Sequence, residues 1–490
     1  MTFSVVTADE MKRLEKQAFA DGENEEEYMN RAGAGIAQVL QEDLLTPVPI
    51  HILIGKGNNG GDGFVAGAIL QHKNYPVTAY HLYPIEECSP LSQKMCKRFL
   101  KSGGKLIHLQ SEPSFEEGVI LDALVGTGFK GAADGFLEEV IEKANGSNLP
   151  IYAIDIPSGL NGNTGQVESV AIKASTTIYL GLPKIGFYIE QGWNHVGNLI
   201  DVDFGLPERY TEDVSVVANL ISEEKMAKAL PKMERARHKY DAGYVLAVAG
   251  SKSMPGAAMM ATMAALKMGA GIIRLFYPKG METELATAPY ELIKEAWDLK
   301  DDTRLLEESK RAKALLIGPG AGRTPDVESA VKTLLSKTTL PTVVDADALY
   351  FLAQNKEMRL PETTILTPHH QEMQRILDAP PTIENCLAYC KDRNVTIVLK
   401  GAPTIIFHPH TTPLIIPHGD PGMATAGTGD VLTGILAALL AQGLDPRNAS
   451  ALGVYLHALS GEIAAREETS FGIIATDLIH YLPEAIQSIQ

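Results

Sequence analysis

The sequence predicts two α/β domains, each with a doubly wound, mostly parallel sheet that helices cover on both faces. Near-continuous apolar runs of strand length alternate with amphipathic runs of helical length, which is typical of parallel strands buried on both faces. The alternation stops once and then starts again, and 490 residues are too many for one ordinary domain. We therefore expect two cores and two sheet edges at which ligands can bind.

The first series of elements opens with two helices, predicted over 7–20 and 25–40 from their apolar spacing and capping residues. Strands are then predicted at 49–55, 76–83, 105–109, 118–126, 150–159, 175–182 and 198–207. Helices are predicted between them at 64–73 and 135–144. Near-continuous strands joined by helices indicate a parallel sheet for this half of the chain.

The segment 208–243 is charged and shows no pattern of a buried strand, so the connection between the domains is placed there. We assign 1–215 to the first domain and 225–490 to the second. Strands of the second series are predicted at 244–250, 271–278, 313–320, 341–349, 364–369, 395–401, 404–409 and 413–419, and helices near 429–442, 449–467 and 475–489.

The charge balance limits the class of partner. Lysine and arginine number 43 against 60 acidic residues, which gives a net charge of −17, and no dense basic run occurs. These features argue against nucleic acid and anionic membranes as partners. The 4 cysteines form no Cys-x-x-Cys pair, which favours free thiols in a reducing compartment. With no run of about 18 apolar residues, we expect a cytoplasmic protein.

Three loops of the first domain carry candidate chemistry. The glycine-rich turn GKGNNGGDG (55–63) follows a strand and can turn backbone N–H groups towards an anion, although such a turn can also be purely structural. DALVGTGFKG (122–131) and DIPSGLNG (155–162) each place an aspartate at the end of an apolar strand. Asn59, Asp122 and Ser158 offer hard oxygen ligands for a cation, which leaves Asp155 for proton transfer.

These loops, with YMNRAG (28–33) before them, resemble the NAD(P)H-hydrate epimerase domain, in which NNGGD, the Asp-Ala-Leu-x-Gly-Thr-Gly loop and the Asp-x-Pro-Ser-Gly loop follow in this order. The resemblance implies a Rossmann-like αβα sandwich, a potassium ion on Asn59, Asp122 and Ser158, and a catalytic Asp155 in contact with the substrate. It also implies that the hydrate contacts Asn58, Asn59, Gly60, Gly61, Asp62, Gly126, Thr127, Gly128, Phe129, Lys130, Gly131 and Ala132.

In the second domain the stretch GDPGMATAGTGD (419–430) runs directly into an apolar helix. The N–H groups of Gly427, Thr428 and Gly429 would cluster at the helix N-terminus, where they stabilise charge on a transferring phosphoryl group. Asp430 is placed to take a proton from a hydroxyl, and its alternative role is that of a helix N-terminal residue beside a capping threonine. His457, within an apolar helical run, is interpreted as a core or surface residue rather than a ligand.

This turn resembles that of the ribokinase-like superfamily, and 225–490 is most similar to the ADP/ATP-dependent NAD(P)H-hydrate dehydratase. The motifs that carry the similarity are HK (238–239), AGSKSMPGAA (249–258), GPGAG (318–322), DADAL (345–349), TPHHQE (367–372) and LKGAPT (399–404). Tyr240 and Met254 depart from the usual residues, which affects the local fit to the substrate. The resemblance implies a ribokinase-like αβα domain in which Asp430 is the base and Glu372 lies near magnesium. It further implies hydrate contacts at Ala257, Gly320, Gly322 and His369, and nucleotide contacts at Lys400, Gly401, Ala402, Pro403, Thr404 and Gly429.

Together the resemblances imply a bifunctional repair enzyme. It would epimerise the R and S forms of NADH and NADPH hydrate (NADHX and NADPHX) and dehydrate the S form at the expense of ADP, giving AMP and phosphate. The motifs do not separate ADP from ATP. A small-molecule kinase is the alternative for the second domain, and a non-catalytic nucleotide-binding module for the first. We also expect a homo-oligomer.

Overall fold

The computed structural model describes residues 2–111 and 113–490, which divide into two compact units. We name them the N-terminal unit, Phe3–Ala218, and the C-terminal unit, whose main part is Asn219–Gln490. The predicted connection, 208–243, contains the point of division. The limits of 1–215 and 225–490 given above for the two domains stay a proposal.

The first half of the chain alternates strands and helices, as predicted. Its strands are β1 (Thr2–Val5), β2 (Ile50–Ile54), β3 (Val77–His81), β4 (Lys105–His108), β5 (Val119–Ala123), β6 (Ile151–Ile154), β7 (Thr176–Leu180) and β8 (Asn198–Val202). Its helices are α1 (Ala8–Ala20), α2 (Glu25–Asp43), α3 (Asn58–His72), α4 (Pro90–Lys101), α5 (Gly135–Asn145), α6 (Trp193–Val196) and α7 (Glu208–Thr211), with 3-10 turns at Ile85–Glu87 and Ile185–Phe187.

The sheet of the N-terminal unit has the order β4-β3-β2-β5-β6-β7-β8, and all its neighbouring strands are parallel. One face packs on α2, α3 and α4 and the other on α5, so apolar side chains of β2 and β5 enter both cores. The chain reverses its direction of progress across the sheet between β2 and β5. In open α/β sheets, ligands bind outside the carboxyl ends of the strands at such a point.

The second half begins with short elements and ends in three long helices. Its strands are β9 (Ala218–Ile221), β10 (Tyr244–Val248), β11 (Ile272–Pro278), β12 (Ile293–Trp297), β13 (Ala314–Ile317), β14 (Thr342–Val344), β15 (Thr364–Leu366), β16 (Thr396–Leu399), β17 (Thr404–His408) and β18 (Thr411–Ile416). Its helices are α8 (Glu223–Ala229), α9 (Pro255–Lys267), α10 (Thr303–Ser309), α11 (Pro325–Lys337), α12 (Asp347–Gln354), α13 (His370–Leu377), α14 (Ile383–Arg393), α15 (Thr428–Ala441), α16 (Pro446–Glu468) and α17 (Ala475–Ser488), with a 3-10 turn at Pro421–Met423.

The sheet of the C-terminal unit runs β9-β18-β17-β16-β15-β14-β13-β10-β11-β12. In this order, every neighbouring pair from β16 to β12 is parallel, and so is the pair of β18 and β9. Strand β17 is antiparallel to both of its neighbours, β16 and β18. Helices α9, α15, α16 and α17 form one core with this sheet, and α15 buries almost every side chain beyond its first turn. Both sheets have the predicted class, so the prediction of doubly wound α/β units is confirmed.

Three local predictions were wrong. Helix α3 begins at Asn58 rather than near 64, because burial of its glycine-rich first turns outweighs their low helix propensity. The run 341–349 is a strand only to Val344, and helix α12 begins at Asp347. The segment 208–243, predicted to lack a buried strand, contains β9, which pairs with β18. Among the described residues, no helix has both the length and the apolar character needed to cross a membrane.

Candidate functional site

The first candidate site lies at the carboxyl ends of β2, β5 and β6. A side chain at Gly55, directly after β2, would place its Cβ 1.6 Å from the carbonyl oxygen of Leu124 after β5. Only glycine allows so close an approach, which brings the glycine-rich turn against the Asp122 loop. The Cβ of a residue at Gly126 would lie 3.5 Å from Asn59 Cβ and 3.8 Å from Asp155 Oδ2, so Gly126 faces both side chains.

Asn59, Asp122 and Ser158 meet in one buried cluster. The Asp122 carboxylate accepts hydrogen bonds from the Ser158 hydroxyl at 2.6 Å, the Ser158 backbone N–H at 2.8 Å and the Leu124 N–H at 3.2 Å. Burial raises the pKa of Asp122 to about 6, although these hydrogen bonds lower it. The Asn59 amide nitrogen donates to the carbonyls of Val125 and Ile154, each at 3.2 Å, so several oxygens converge on this point.

Asp155 stands in a strained backbone conformation beside this cluster. Its φ of 65° lies in the left-handed region, which aspartate adopts at a small cost and which is frequent at functional sites. Its carboxylate accepts a hydrogen bond at 2.6 Å from Lys184, whose side chain is 0% exposed and which also donates to the Leu180 carbonyl at 2.9 Å. The sequence reasoning missed Lys184, for which the available signal was a single lysine in the apolar run GLPKIGF (181–187).

Asp62 is a second buried carboxyl group at this site. It lies in the first turns of α3, and within the described part of the chain no donor forms a hydrogen bond with it. Burial, and next the negative charges of Asp155 and Glu15, raise its pKa well above the usual value. Burial without a donor therefore disfavours the charged form of Asp62.

Two predicted contacts point elsewhere. The amide of Asn58 donates to Glu25 at 2.7 Å and accepts from the Ser89 hydroxyl at 2.7 Å on an exposed face. Lys130 forms an exposed ion pair with Asp9 at 3.3 Å, at the start of α1. Neither side chain joins the cluster of Asn59, Asp122 and Ser158, and both need to turn to reach a ligand there.

The second candidate site forms around the N-terminus of α15. Gly427, at φ 98°, precedes the helix, and a Cβ there would lie 2.5 Å from the terminal atoms of Met260 on α9. The left-handed conformation and the close packing both require glycine. His457 is buried and its Nε2–H donates to the Thr428 carbonyl at 2.9 Å; burial lowers its pKa to about 4. His457 is therefore a neutral support of the turn and a core residue, which is one of the two positions expected for it.

Asp430 lies in the first turn of α15, close to a buried ion pair. Lys400 donates to Asp345 at 2.8 Å, and Thr433, one turn after Asp430, donates to the other Asp345 oxygen at 2.7 Å. Burial, and next the negative charge of Asp345, raise the pKa of Asp430 to about 7, although Lys400 lowers it. Asp345 belongs to the DADAL motif, but the sequence reasoning assigned it no role.

His369 and Lys400 are neighbours across the sheet edge, where the Lys400 backbone N–H donates to the Pro368 carbonyl at 2.8 Å. The Nδ1 atom of His369 caps α13 by accepting from the N–H groups of Gln371 and Glu372. The Glu372 carboxylate in turn accepts from the His369 N–H at 2.9 Å. Nδ1 is thus occupied, and Nε2 of the half-exposed His369 side chain lies 3.5 Å from the Glu372 carboxylate.

The other predicted substrate contacts, Ala257, Gly320 and Gly322, lie in neighbouring segments close to Asp430. A Cβ at Gly320 would lie 2.9 Å from the Cβ of Ala257, so these two backbone segments pack closely. The Gly322 N–H donates to Asp347 at 2.8 Å, and the charge of Asp347 contributes to the raised pKa of Asp430. Ala257 shares α9 with Met260, which touches Gly427. The loop with Gly320 and Gly322 and the turn at Gly427 therefore border the same region, next to Asp430.

The fold and the two sites define the class of protein: a two-domain α/β enzyme with a ribokinase-like C-terminal unit. A solved ribokinase-like superfamily protein from Enterococcus faecalis is 28% identical, with a TM-score of 0.52, and covers 55% of this chain and 95% of its own. A family model described as NAD(P)H-hydrate dehydratase matches residues 245–484, and one described as YjeF-related protein N-terminus matches residues 25–186.

Relatives with the same arrangement along their whole length identify the family. The bifunctional NAD(P)H-hydrate repair enzyme Nnr of Moorella thermoacetica is 35% identical over 520 residues, which cover 99% of this chain and 97% of the relative. The protein of the same name from Thermofilum pendens is 33% identical over 513 residues, with 99% and 97% covered. The chain belongs to the family of bifunctional NAD(P)H-hydrate repair enzymes, which confirms both resemblances.

Proposed function

We propose that the N-terminal unit interconverts the R and S forms of NADHX and NADPHX, and that the C-terminal unit dehydrates the S form with ADP as phosphoryl donor. One observation carries this division of labour. Each unit has its own site at a sheet edge. In each site the aspartate proposed for proton transfer, Asp155 or Asp430, lies near a lysine, which is the buried Lys184 in the first site and the partly buried Lys400 in the second. Two separate proton-transfer centres suit two reactions at the same substrate carbon.

In the epimerase reaction, Asp155 exchanges a proton with the hydroxyl or water at C6 of the hydrated nicotinamide. The lone pair of ring nitrogen N1 expels the C6 oxygen as water and leaves a planar iminium, which water then attacks from either face. The buried ammonium of Lys184 holds the Asp155 carboxylate in place through a 2.6 Å hydrogen bond. The N–H groups of the glycine-rich first turn of α3 are free to bind the pyrophosphate.

A potassium ion fits the chemistry of Asn59, Asp122 and Ser158. Their amide, carboxylate and hydroxyl oxygens, together with the nearby Val125 carbonyl, are hard donors of the kind that alkali cations prefer. When bound, the ion would supply positive potential beside the pyrophosphate in an acidic protein. Asn59, Asp122 and Ser158 would hold the ion, which would thereby link the loops that follow β2, β5 and β6.

In the dehydratase reaction, Asp430 takes the proton of the C6 hydroxyl as that oxygen attacks the terminal phosphoryl group of the nucleotide. The N–H groups of Gly427, Thr428 and Gly429 receive the negative charge that develops on the phosphoryl oxygens. Lys400 lies close to this turn, since a Cβ at Gly429 would be 3.3 Å from its Nζ. The N1 lone pair then expels phosphate from C6 to leave an iminium, and loss of a proton from C5 to water re-forms the 5,6 double bond. His369 contacts the hydrate through its half-exposed side chain.

The nucleotide is proposed to lie along 400–404, with Lys400 at its phosphates. Magnesium would neutralise the phosphates when bound, near Glu372. Within the described residues, no three or more His, Cys, Asp or Glu side chains form a metal cage. Magnesium usually keeps several water ligands and binds through one or two carboxylates and the substrate phosphates, which is compatible with a single nearby carboxylate such as Glu372.

The test uses the purified full chain with separated R and S hydrates. Wild-type protein with ADP is expected to restore the near-ultraviolet absorbance of the dihydronicotinamide from both forms and to release free phosphate. The Asp155→Asn variant is expected to restore the absorbance rapidly from the S form only. Its turnover of the R form should be lowered by about 10²-fold or more. A stable phosphorylated product in place of free phosphate would support the kinase alternative, and an unchanged R-form rate would refute the role of Asp155.

A further inference from the structure

One threonine of α15 joins the helix to the strand ends of the second candidate site. Thr433 is 0% exposed, and its hydroxyl donates to Asp345 Oδ2 at 2.7 Å. The other oxygen of the Asp345 carboxylate accepts from the Lys400 ammonium at 2.8 Å. Asp345 follows β14, Lys400 follows β16 and Thr433 lies in the second turn of α15. One buried carboxylate therefore links three separate elements.

The hydroxyl of Thr433 lies near two acceptors. Besides Asp345 it faces the Gly429 carbonyl, one turn earlier in the helix, at 3.0 Å. A hydroxyl carries a single proton, and the shorter bond to a carboxylate is the stronger of the two. Asp345 is 2% exposed, so water competes little for its oxygens. The bond from Thr433 to Asp345 is therefore the one that fixes the position of the carboxylate.

Helix α15 is itself held firmly in place. Gly434, next to Thr433, packs so closely on α9 that a Cβ there would lie 2.0 Å from the Ala261 carbonyl oxygen. The Lys400 ammonium lies over the first turn of the same helix, where a Cβ at Gly429 would be 3.3 Å from Nζ. The fixed helix is thus a suitable reference against which the long side chain of Lys400 can be aligned.

We propose that Thr433 is a positioning residue for phosphoryl transfer. By fixing Asp345, it keeps the Lys400 ammonium at a set place relative to the Asp430 carboxylate, which lies on the same helix. The four-carbon stem of a lysine is flexible, so its charge assists a reaction fully only when the ammonium is aligned. Without the hydroxyl, one oxygen of a buried carboxylate loses its donor, and Asp345 can turn and take the ammonium with it. This inference rests on the roles proposed above for Asp430 and Lys400.

The test is Thr433→Val in the full chain, which replaces the hydroxyl by a methyl group of similar size. Dehydration of pure S hydrate is followed by dihydronicotinamide absorbance at varied ADP concentration. We expect the KM for ADP to rise about fivefold and kcat to fall by about the same factor, with the KM for the hydrate within about twofold of wild type. Thr433→Ser, which keeps the hydroxyl, should have all three constants within about twofold of wild type.

Thr262→Val is the matched control. Thr262 is also 0% exposed and lies on α9, but its hydroxyl donates to the Ala258 carbonyl of its own helix at 2.7 Å. The same change of hydroxyl to methyl there should leave the kinetic constants of the dehydratase unchanged, whatever it does to stability.

The pH profile provides a measurement that a loss of stability alone would not change. Asp430 faces Asp345 after β14, Lys400 after β16 and Asp347 at the start of α12. Burial, and next the charge of Asp345, raise the pKa of Asp430 to about 7, whereas the charge of Lys400 lowers it. An ammonium that moves away lowers this pKa less, so the acidic limb of the dehydratase profile should move to higher pH in Thr433→Val.

The double variant Thr433→Val/Asp345→Asn shows whether the hydroxyl acts through the carboxylate. Its loss of kcat/KM for ADP should be no greater than that of Asp345→Asn alone, whereas independent effects would multiply. Multiplied losses would overturn the inference. So would a Thr433→Val enzyme with the kinetic constants and acidic limb of the wild type, or a Thr433→Ser enzyme as impaired as Thr433→Val.

Lys400→Met separates this inference from the proposed function beneath it. If Lys400→Met keeps the wild-type KM for ADP, the nucleotide site proposed above fails and the role of Thr433 fails with it. If Lys400→Met raises the KM for ADP and Thr433→Val does not, the nucleotide site stands and only the role of Thr433 is refuted.

Discussion

Replacing Asp430 by asparagine separates a catalytic base from a residue that merely begins a helix. Asp430 occupies the first turn of α15, where a negative charge usually stabilises a helix. In this structure, however, burial and the nearby charge of Asp345 raise its pKa to about 7. The two roles therefore predict opposite effects of the substitution on stability, in addition to different effects on catalysis.

The stability effect follows from the direction of the pKa shift. The folded state binds the Asp430 proton more tightly than the unfolded chain, whose aspartate has a pKa of about 3.9. Ionised Asp430 thus costs stability, by an amount that is absent below pH 4, grows up to pH about 7 and is complete above it. The difference of about three between the folded and unfolded pKa values corresponds to at most about 4 kcal/mol of stability. Partial exposure of the carboxylate reduces this cost to about 1–2 kcal/mol.

The catalytic effect has the opposite sign. Asparagine cannot take the hydroxyl proton, so the dehydratase kcat/KM should fall by about 10³-fold, which equals about 4 kcal/mol of transition-state stabilisation. In the wild-type protein the same rate should fall about tenfold per pH unit below pH 7, as Asp430 becomes protonated. Epimerisation should be unaffected.

The assay follows dihydronicotinamide absorbance from pure S hydrate and ADP between pH about 5 and 9, together with urea unfolding of the same two proteins. Asp430→Asn is expected to be inactive as a dehydratase and more stable than wild type above pH 7. A variant that keeps its activity would refute the assignment of the base. A variant that loses about 0.3–1 kcal/mol of stability at pH 8, as for a lost favourable helix-end charge, would show that the electrostatic reasoning is wrong.

Two further substitutions test the surroundings of this site. Asp345→Asn removes the hydrogen-bond partner of Lys400, so the KM for ADP should rise about tenfold. It also removes part of the negative charge that raises the pKa of Asp430, so the acidic limb of the dehydratase pH profile should move to lower pH. An unmoved limb would contradict the coupling. Gly427→Ala places a Cβ 2.5 Å from Met260 at a backbone φ of 98°. We expect the variant to lose about 1–3 kcal/mol of stability and most of its dehydratase activity, with epimerase activity as the internal control. A variant with the Tm and dehydratase turnover of the wild type would contradict this expectation.

Most elements of both sheets could be predicted from sequence, because parallel strands buried on both faces leave continuous apolar runs. Strands β1, β9 and β12 were missed, and the last two are atypical. β12 carries exposed and charged residues in the run IKEAW, and β9 is a short strand in a charged segment. The start of α3 was misplaced because its glycine-rich turns have low intrinsic helix propensity and are held by tertiary burial.

The site residues divide in the same way. Asn59, Asp122, Asp155 and Ser158 stand in motifs at strand ends, which topology brings to one edge, and their proximity could be expected before the structure was known. Lys184 and Asp345 could not be paired with their partners, which lie 29 and 55 positions away along the chain.

The sequence motifs and their order along the chain were sufficient to indicate the family. The periodicity of apolar residues indicated two α/β units and the sheet edges at which ligands are expected, because both depend on local backbone conformation. The raised pKa values of Asp62, Asp122 and Asp430, and the ion pairs that hold Asp155 and Lys400, were decided by the tertiary structure. The physical reason is that desolvation and charge coupling depend on which distant segments enclose a group, and a linear pattern of residues does not contain that information.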